Sequence, residues 1–231
     1  MTAPRPIFLH GAIGGSSCWG SVSERFDGAA VLGLPGHPNG SPVGDAGEVV
    51  GWIALALAQL PGYRTLIGHG LGGLLALEVA RIHPDLIHGV IALGCAPQLS
   101  VPDVAGLDHD DVLARILTSS TREPAGGFGH VLTEAMQIIG PETLEADLDM
   151  CRDLNILDGA RLVRCPVLVV VGDQDTWAPP DSAATLALTL PMGHLVVVTG
   201  ARHLVHADAP ATTQLLIAAF LARLELTLAE Q

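Results

Sequence analysis

Three short segments carry the residues that could do chemistry. Gly68-His69-Gly70-Leu71-Gly72-Gly73 lies between an apolar run and a stretch of helical period. Gly172-Asp173-Gln174-Asp175 places carboxylates after another apolar run, and Gly200-Ala201-Arg202-His203 places an imidazole after a third. Together these are the parts of an acyl-transfer site. A nucleophile attacks a carbonyl, an imidazole takes its proton, a carboxylate orients the imidazole, and backbone N–H groups hold the oxyanion. A sharp strand-to-helix turn with glycines two residues either side of its centre lifts the central side chain above a sheet, as in the G-x-S-x-G elbow. Here the centre is Gly70, so the frame for a nucleophile stands without a hydroxyl in it.

Such segments work only if a scaffold brings them to one edge. Six apolar runs read as buried parallel strands, continuous rather than alternating: Pro6–Leu9, Ala29–Leu32, Thr65–Gly68, Gly89–Leu93, Val167–Val171 and His194–Val198. Helical patterns over Ala46–Leu60, Leu71–Ile82, Thr185–Leu190 and Ala211–Leu228 separate or follow them. His83-Pro84 closes the second of these helices, because proline cannot continue one. Alternating strand and helix predicts an α/β fold, a mainly parallel sheet of about six strands with helices on both faces. Between Leu93 and Val167 no strand is evident. Asp110–Ser119, Phe128–Ile139 and Glu142–Leu154 read as helices, so Pro97–Gly159 is expected to form a small helical cap. Residues 1–96 and 160–231 then form the core.

Composition narrows the partners. The chain has 231 residues, 49% hydrophobic and 15% charged, enough for a large core in one α/β domain. Aromatics are 3%, so that core must be aliphatic, and no lysine occurs. The net charge of −13 argues against nucleic acid and anionic membrane surfaces. Twelve acidic and three basic residues fall within Pro97–Gly159, a balance of −9, so most of the net charge sits on the expected cap. Cys18, Cys95, Cys151 and Cys165 show neither a C-x-x-C pair nor zinc spacing, as expected of free thiols in a reducing compartment. The first residues carry no signal-peptide pattern, and no apolar run reaches the roughly 18–20 residues of a membrane span. A cytoplasmic location follows as the default expectation, and no metal or cofactor is implied.

In open α/β sheets, sites form at the carboxyl ends of strands. Four such ends are occupied here in the order glycine-rich loop, elbow, acid, histidine. That order resembles the α/β-hydrolase superfamily, whose triad runs nucleophile, Asp/Glu, His along the chain. His10-Gly11 with Trp19 resembles its oxyanion loop, and Leu34-Pro35-Gly36-His37 with Ser41 its next loop, although Gly33 stands where an aspartate is usual. The compact insertion is similar to that of small carboxylesterases such as the pimeloyl-carrier methyl ester esterases, and of the menaquinone-pathway lyase of this fold. The resemblance implies Gly70 at the nucleophile position, Asp175 as acid, His203 as base, and the N–H groups of Ala12 and Leu71 as oxyanion donors. His10, Trp19, His69, Cys95 and Trp177 are expected around the substrate. Asp173 competes with Asp175 for the acid role. His69 and His206 read as packing residues rather than catalysts, and Cys95 as a pocket wall with no adjacent base.

Three explanations of Gly70 stand open. The chain is a Ser-to-Gly form of a serine esterase, inactivated as for trapping an intact substrate. Or it is a serine-less member acting without a covalent intermediate, as a water-activating hydrolase, lyase or cyclase. Or it binds a ligand without catalysis. An acidic cap repels anionic molecules, including an acidic carrier protein. The expected substrate is therefore a small ester, thioester or lactone, neutral or cationic.

Overall fold

The computed structural model describes residues 5–12, 14–38, 40–122, 134 and 138–229. Six parallel strands form one sheet: β1 (Arg5–Leu9), β2 (Ala30–Leu32), β3 (Arg64–His69), β4 (Gly89–Leu93), β5 (Val167–Gly172) and β6 (Gly193–Val198), in spatial order β2-β1-β3-β4-β5-β6. Each predicted strand is present, within a residue or two at its ends. The chain winds outward in one direction through β2 and in the other from β3 onward, so β1 and β3 flank the switch point where ligands bind in such sheets. Leu9 pairs with Gly68, and His69 with Leu93, which starts the loops after β1, β3 and β4 side by side.

The four central strands β1, β3, β4 and β5 are buried on both faces, the edge strands β2 and β6 only in part, and alternate side chains feed two apolar cores. Ile7, Leu9, Leu66, Val90, Val167 and Val169 face one. Phe8, Ile67, Ile91, Leu93, Leu168 and Val170 face the other. Among the described residues the helices are α1 (Gly20–Ser23), α2 (Ala46–Ala58), α3 (Leu71–Ile82), α4 (His109–Ser120), α5 (Pro141–Asp153), α6 (Leu157–Ala160), α7 (Pro180–Thr189), α8 (Val205–Asp208) and α9 (Pro210–Ala229). The first core receives Val49, Ile53 and Leu57 of α2, much of α3, and Leu186 of α7. The second receives Val22 of α1 and Ile217, Phe220 and Leu224 of α9.

The segment between β4 and β5 holds α4, α5 and α6 and contains no strand among its described residues. Leu113, Ile116, Leu144 and Leu148 of α4 and α5 join the first core alongside Leu71 and Leu99. The Ile156 amide donates to the Pro97 carbonyl at 2.9 Å, so the two ends of the segment meet. The helix expected over Phe128–Ile139 lies largely outside the described residues. The expected Thr185–Leu190 helix begins earlier, at Pro180, where proline fits the first helical position because its missing N–H has no intrahelical partner to lose. Among the described residues no helix is long and apolar enough to cross a membrane.

Candidate active site

β3 ends at His69 and α3 begins at Leu71, leaving Gly70 as the single turning residue, with φ 52° and ψ −118°. Positive φ is the left-handed region that glycine enters freely and other residues enter at a cost. The Gly70 amide donates to the Leu93 carbonyl at 2.9 Å, and its carbonyl accepts from Gly73 and Leu74. Gly72 is required for another reason. A Cβ there would lie 2.3 Å from the His10 carbonyl oxygen and 2.6 Å from that of Leu9, so α3 packs directly on the backbone leaving β1.

His203 lies in the loop after β6 and is almost wholly buried. A Cβ built on Gly70 would be 3.3 Å from its Nε2. On the far side of the ring, Nδ1 lies 3.2 and 3.1 Å from the two carboxylate oxygens of Asp175. Asp175 follows β5, and its Oδ1 also accepts the backbone amides of Trp177 at 2.8 Å and Ala178 at 2.9 Å. Asp173 makes no such contact; its Oδ1 accepts the Gly200 amide and braces the turn after β6. Between Asp173 and Asp175, geometry therefore puts Asp175 on the imidazole. Trp177 stacks on the His203 ring at 4.8 Å with an interplanar angle of 13°.

Leu71 opens α3, and the first N–H groups of a helix have no intrahelical partner. Ala12 follows Gly11 in the loop after β1 and packs in the same core as Leu71. These two amides are the ones expected to hold an oxyanion.

Behind His203 runs a column of buried rings. His69 lies 4.6 Å from His203, His206 lies 4.8 Å from His69, and Trp19 stacks on His206 at 4.7 Å. His69 Nε2–H donates to the His203 carbonyl at 3.0 Å. Burial, with His203 and His206 beside it, holds the His69 imidazole well below its ordinary pKa. Burial likewise pushes His206 down to about 3. Trp19 is thus two rings removed from His203 and packs with Phe8.

His10 spends both ring nitrogens inside the protein. Nδ1–H donates to the Gly11 carbonyl and Nε2 accepts the Leu34 amide, each at 2.9 Å. Burial, with His37 alongside, pushes it down to about 3 and keeps it neutral. It braces the loop after β1 against the loop after β2. Cys95 sits beneath the elbow, its thiol donating to the carbonyls of Gly70 at 3.4 Å and Leu93 at 3.3 Å, and burial pushes the thiol pKa upward. A thiol held protonated is no nucleophile.

Several neighbours escaped the sequence reading. Leu99 Cδ1 lies 4.0 Å from the Gly70 Cβ position. Buried His37, whose ring meets His10 at 4.4 Å, donates from Nε2–H to buried Asp147 of α5 at 2.7 Å. Burial raises the Asp147 pKa, and the His37 hydrogen bond opposes that rise. The His37–Asp147 partners lie 110 residues apart, and no local pattern announces them. Among the described residues no group of three or more His, Cys, Asp or Glu is placed to hold a metal ion.

A six-stranded parallel sheet with this elbow, acid and histidine defines a hydrolase class, and the chain belongs to the alpha/beta hydrolase family, whose model matches residues 7–213. Its curated relatives include the pimeloyl-[acyl-carrier protein] methyl ester esterase of Aeromonas salmonicida, 26% identical over 87% of this chain and 88% of that protein. The same-named esterase of Aromatoleum aromaticum is 25% identical over 84% and 89%. Among solved structures, the enol-lactonase of Burkholderia xenovorans LB400 superposes with a TM-score of 0.86 at 17% identity, covering 96% of this chain and 92% of its own. At that identity the likeness speaks for the fold.

Proposed function

We propose that this chain is a carboxylic ester hydrolase, acting on an ester, thioester or lactone, and that Gly70 occupies the nucleophile position of its site. One observation carries the reading: His203 stands between Asp175 and the Cβ position of residue 70, with Nε2 3.3 Å from that position. With serine at 70, Nε2 would take the hydroxyl proton as the oxygen attacks the substrate carbonyl. Asp175 would keep the Nδ1 proton in place and stabilise the imidazolium. The amides of Leu71 and Ala12 would hold the oxyanion, and His203 would then protonate the leaving group. Water repeats the sequence to release the acid. In the Gly70 form the covalent step has no nucleophile, so this form is strongly impaired.

A second reading draws on the same contact. With no side chain at 70, a water taking the Cβ position 3.3 Å from His203 Nε2 would be activated there and attack a reactive ester directly. The two readings differ in whether an acyl-enzyme exists.

Residues Pro97–Gly159 form the cap in this account, supported by the meeting of Pro97 with Ile156 and by the apolar side chains that α4 and α5 add to the core that holds Leu71. Its balance of −9 favours a neutral or cationic small substrate over a dianion or an acidic carrier protein. The relatives named for a carrier-linked methyl ester share the chemistry without fixing the substrate here. The test is covalent capture. Gly70→Ser treated with a fluorophosphonate should gain one adduct mass on residue 70, and Gly70→Ser/His203→Gln should not. An unlabelled Gly70→Ser protein would remove the acyl-enzyme reading.

A further inference from the structure

We infer that Asp208 is a positioning residue that fastens the C-terminal end of α4 to the loop carrying His203, so that the two hold one position together. Asp208 ends α8, five residues beyond His203. Its Oδ1 accepts the Thr121 hydroxyl at 2.7 Å and the Arg122 amide at 2.9 Å. Its Oδ2 accepts the Arg202 amide at 2.7 Å. One carboxylate thus grips the residue just before His203 and the two residues just after α4.

The same two stretches are joined again without it. The Leu204 amide donates to the Ser120 carbonyl at 2.7 Å. The Arg202 guanidinium donates through Nη1 to the Thr118 carbonyl at 2.8 Å and the Thr121 carbonyl at 3.3 Å. Trp177, the ring stacked on His203, donates from Nε1 to the Ser119 hydroxyl at 3.1 Å. The last carbonyls of a helix lack intrahelical partners and attract cations. Here Arg202 and Leu204 satisfy them, and these two residues bracket His203. Asp175 anchors the ring itself. The backbone that aims the ring is anchored by α4, with the Asp208 carboxylate contributing charge-assisted bonds to both sides.

The consequence is a mechanical link from α4 to the base. Leu113 and Ile116 of α4 belong to the same apolar core as Leu71 and Leu99, and the bonds above tie the end of α4 to the His203 loop, so a ligand that displaces α4 would also displace His203. The link itself is geometric; its catalytic consequence rests on the ester hydrolase reading.

Asp208→Asn tests it, because an amide of the same shape offers an acceptor to one side only and turns N–H groups toward the other. The first readout uses the Gly70 chain as it stands. The His203 Nδ1 proton held against Asp175 gives a low-field proton NMR resonance, assigned by its loss in His203→Gln. Asp208→Asn should broaden or abolish it while the folded chain persists. The second readout uses Gly70→Ser, where Asp208→Asn should lower kcat about 10- to 100-fold with KM changed less than about threefold, as expected for a base misplaced by about 1 Å. Should Asp208→Asn fail to fold, Thr121→Val, which removes one donor from the α4 side alone, should produce the same changes in weaker form. An unchanged resonance overturns the inference, as does a kcat within about twofold of the parent. If Gly70→Ser has no esterase activity, the hydrolase reading falls and the resonance alone decides the positioning claim.

Discussion

His203 directs Nε2 toward the point where a side chain on Gly70 would begin, 3.3 Å away, while its Nδ1 rests 3.1 Å from Asp175 Oδ2. His203 therefore lies between Asp175 and the Cβ position of residue 70, although that position carries no side chain. The backbone of the elbow keeps the same record: Gly70 has φ 52° and ψ −118°, a conformation suited to presenting a nucleophile and one that glycine alone adopts without strain.

That strain has a measurable consequence. A residue with a Cβ at such a position costs on the order of 1–3 kcal/mol. Glycine loses about 0.4–1 kcal/mol more on folding through its freer unfolded chain. The strain is the larger of the two, so Gly70→Ser should be slightly less stable than the Gly70 chain in urea melts at pH 7. Equal or greater stability would mean that the turn is relaxed or that a hydroxyl bond to His203 offsets the strain.

Asp175→Asn should preserve the fold and spoil the base. The amide oxygen can keep the two backbone donors, Trp177 and Ala178, that Asp175 Oδ1 now accepts. Its NH2 then faces His203 Nδ1 and forces the ring proton onto Nε2, the wrong tautomer for taking a proton from residue 70. In Gly70→Ser this should lower kcat on the order of 10⁴-fold. Nitrogen NMR of the His203 ring should show the changed tautomer, and an unchanged Nδ1–H form would contradict the argument.

How much of this was legible in the sequence differs by scale. The strands were, because central strands buried on both faces read as unbroken apolar runs such as Val167–Gly172, and the partly exposed edges β2 and β6 keep apolar runs as well. The elbow, Asp175 and His203 were legible because each lies directly after such a run. The start of α7 was hidden by Pro179-Pro180, which reads as a turn and serves as a helix start. Polar pairs between distant segments were not legible at all. Asp208 meets Thr121 and Arg122 across 87 and 86 residues, and His37 meets Asp147 across 110. Periodicity reports which face of an element is buried; it carries no information on which polar residue of a distant loop will satisfy another. His10 shows the same limit, since its motif suggested a ligand contact and its ring nitrogens are used within the protein.

Buried neutral histidines make the fold acid-sensitive. His10 and His206 are both pushed from 6.5 down to about 3, so the folded state holds them neutral while the unfolded chain protonates them. Between about pH 6.5 and 3 the unfolded state binds more protons, and stability rises with pH and falls with acid. Each such group adds up to about 1.4 kcal/mol per pH unit to that slope. His206→Phe keeps a ring beside Trp19 and removes one proton site. It should flatten the stability–pH slope between about pH 4 and 6 by close to one proton, measured by urea melts across that range. A slope unchanged from the parent would mean that His206 is not held neutral.

The contact between α3 and the backbone leaving β1 leaves no room for a methyl group. Gly72→Ala would set a Cβ against the carbonyl oxygens of His10 and Leu9 at 2.3 and 2.6 Å, both on rigid backbone. Overpacking costs typically about 1–3 kcal/mol, and against fixed backbone the upper end is expected. The variant should show a lower urea midpoint, and in Gly70→Ser a lower kcat, because the displaced loop carries Ala12. A variant as stable as its parent would contradict the packing described.

The central claim is that this site is an ester hydrolase lacking only its nucleophile. Its most direct test is the rate of p-nitrophenyl butyrate hydrolysis by the Gly70 chain, Gly70→Ser and Gly70→Ser/His203→Ala. Loss of such a serine costs on the order of 10⁶ in turnover. Gly70→Ser should therefore gain several orders of magnitude in kcat, and His203→Ala should abolish the gain. A Gly70→Ser protein no faster than the Gly70 chain across a panel of neutral, cationic and anionic esters, or a gain that survives loss of His203, would contradict the account.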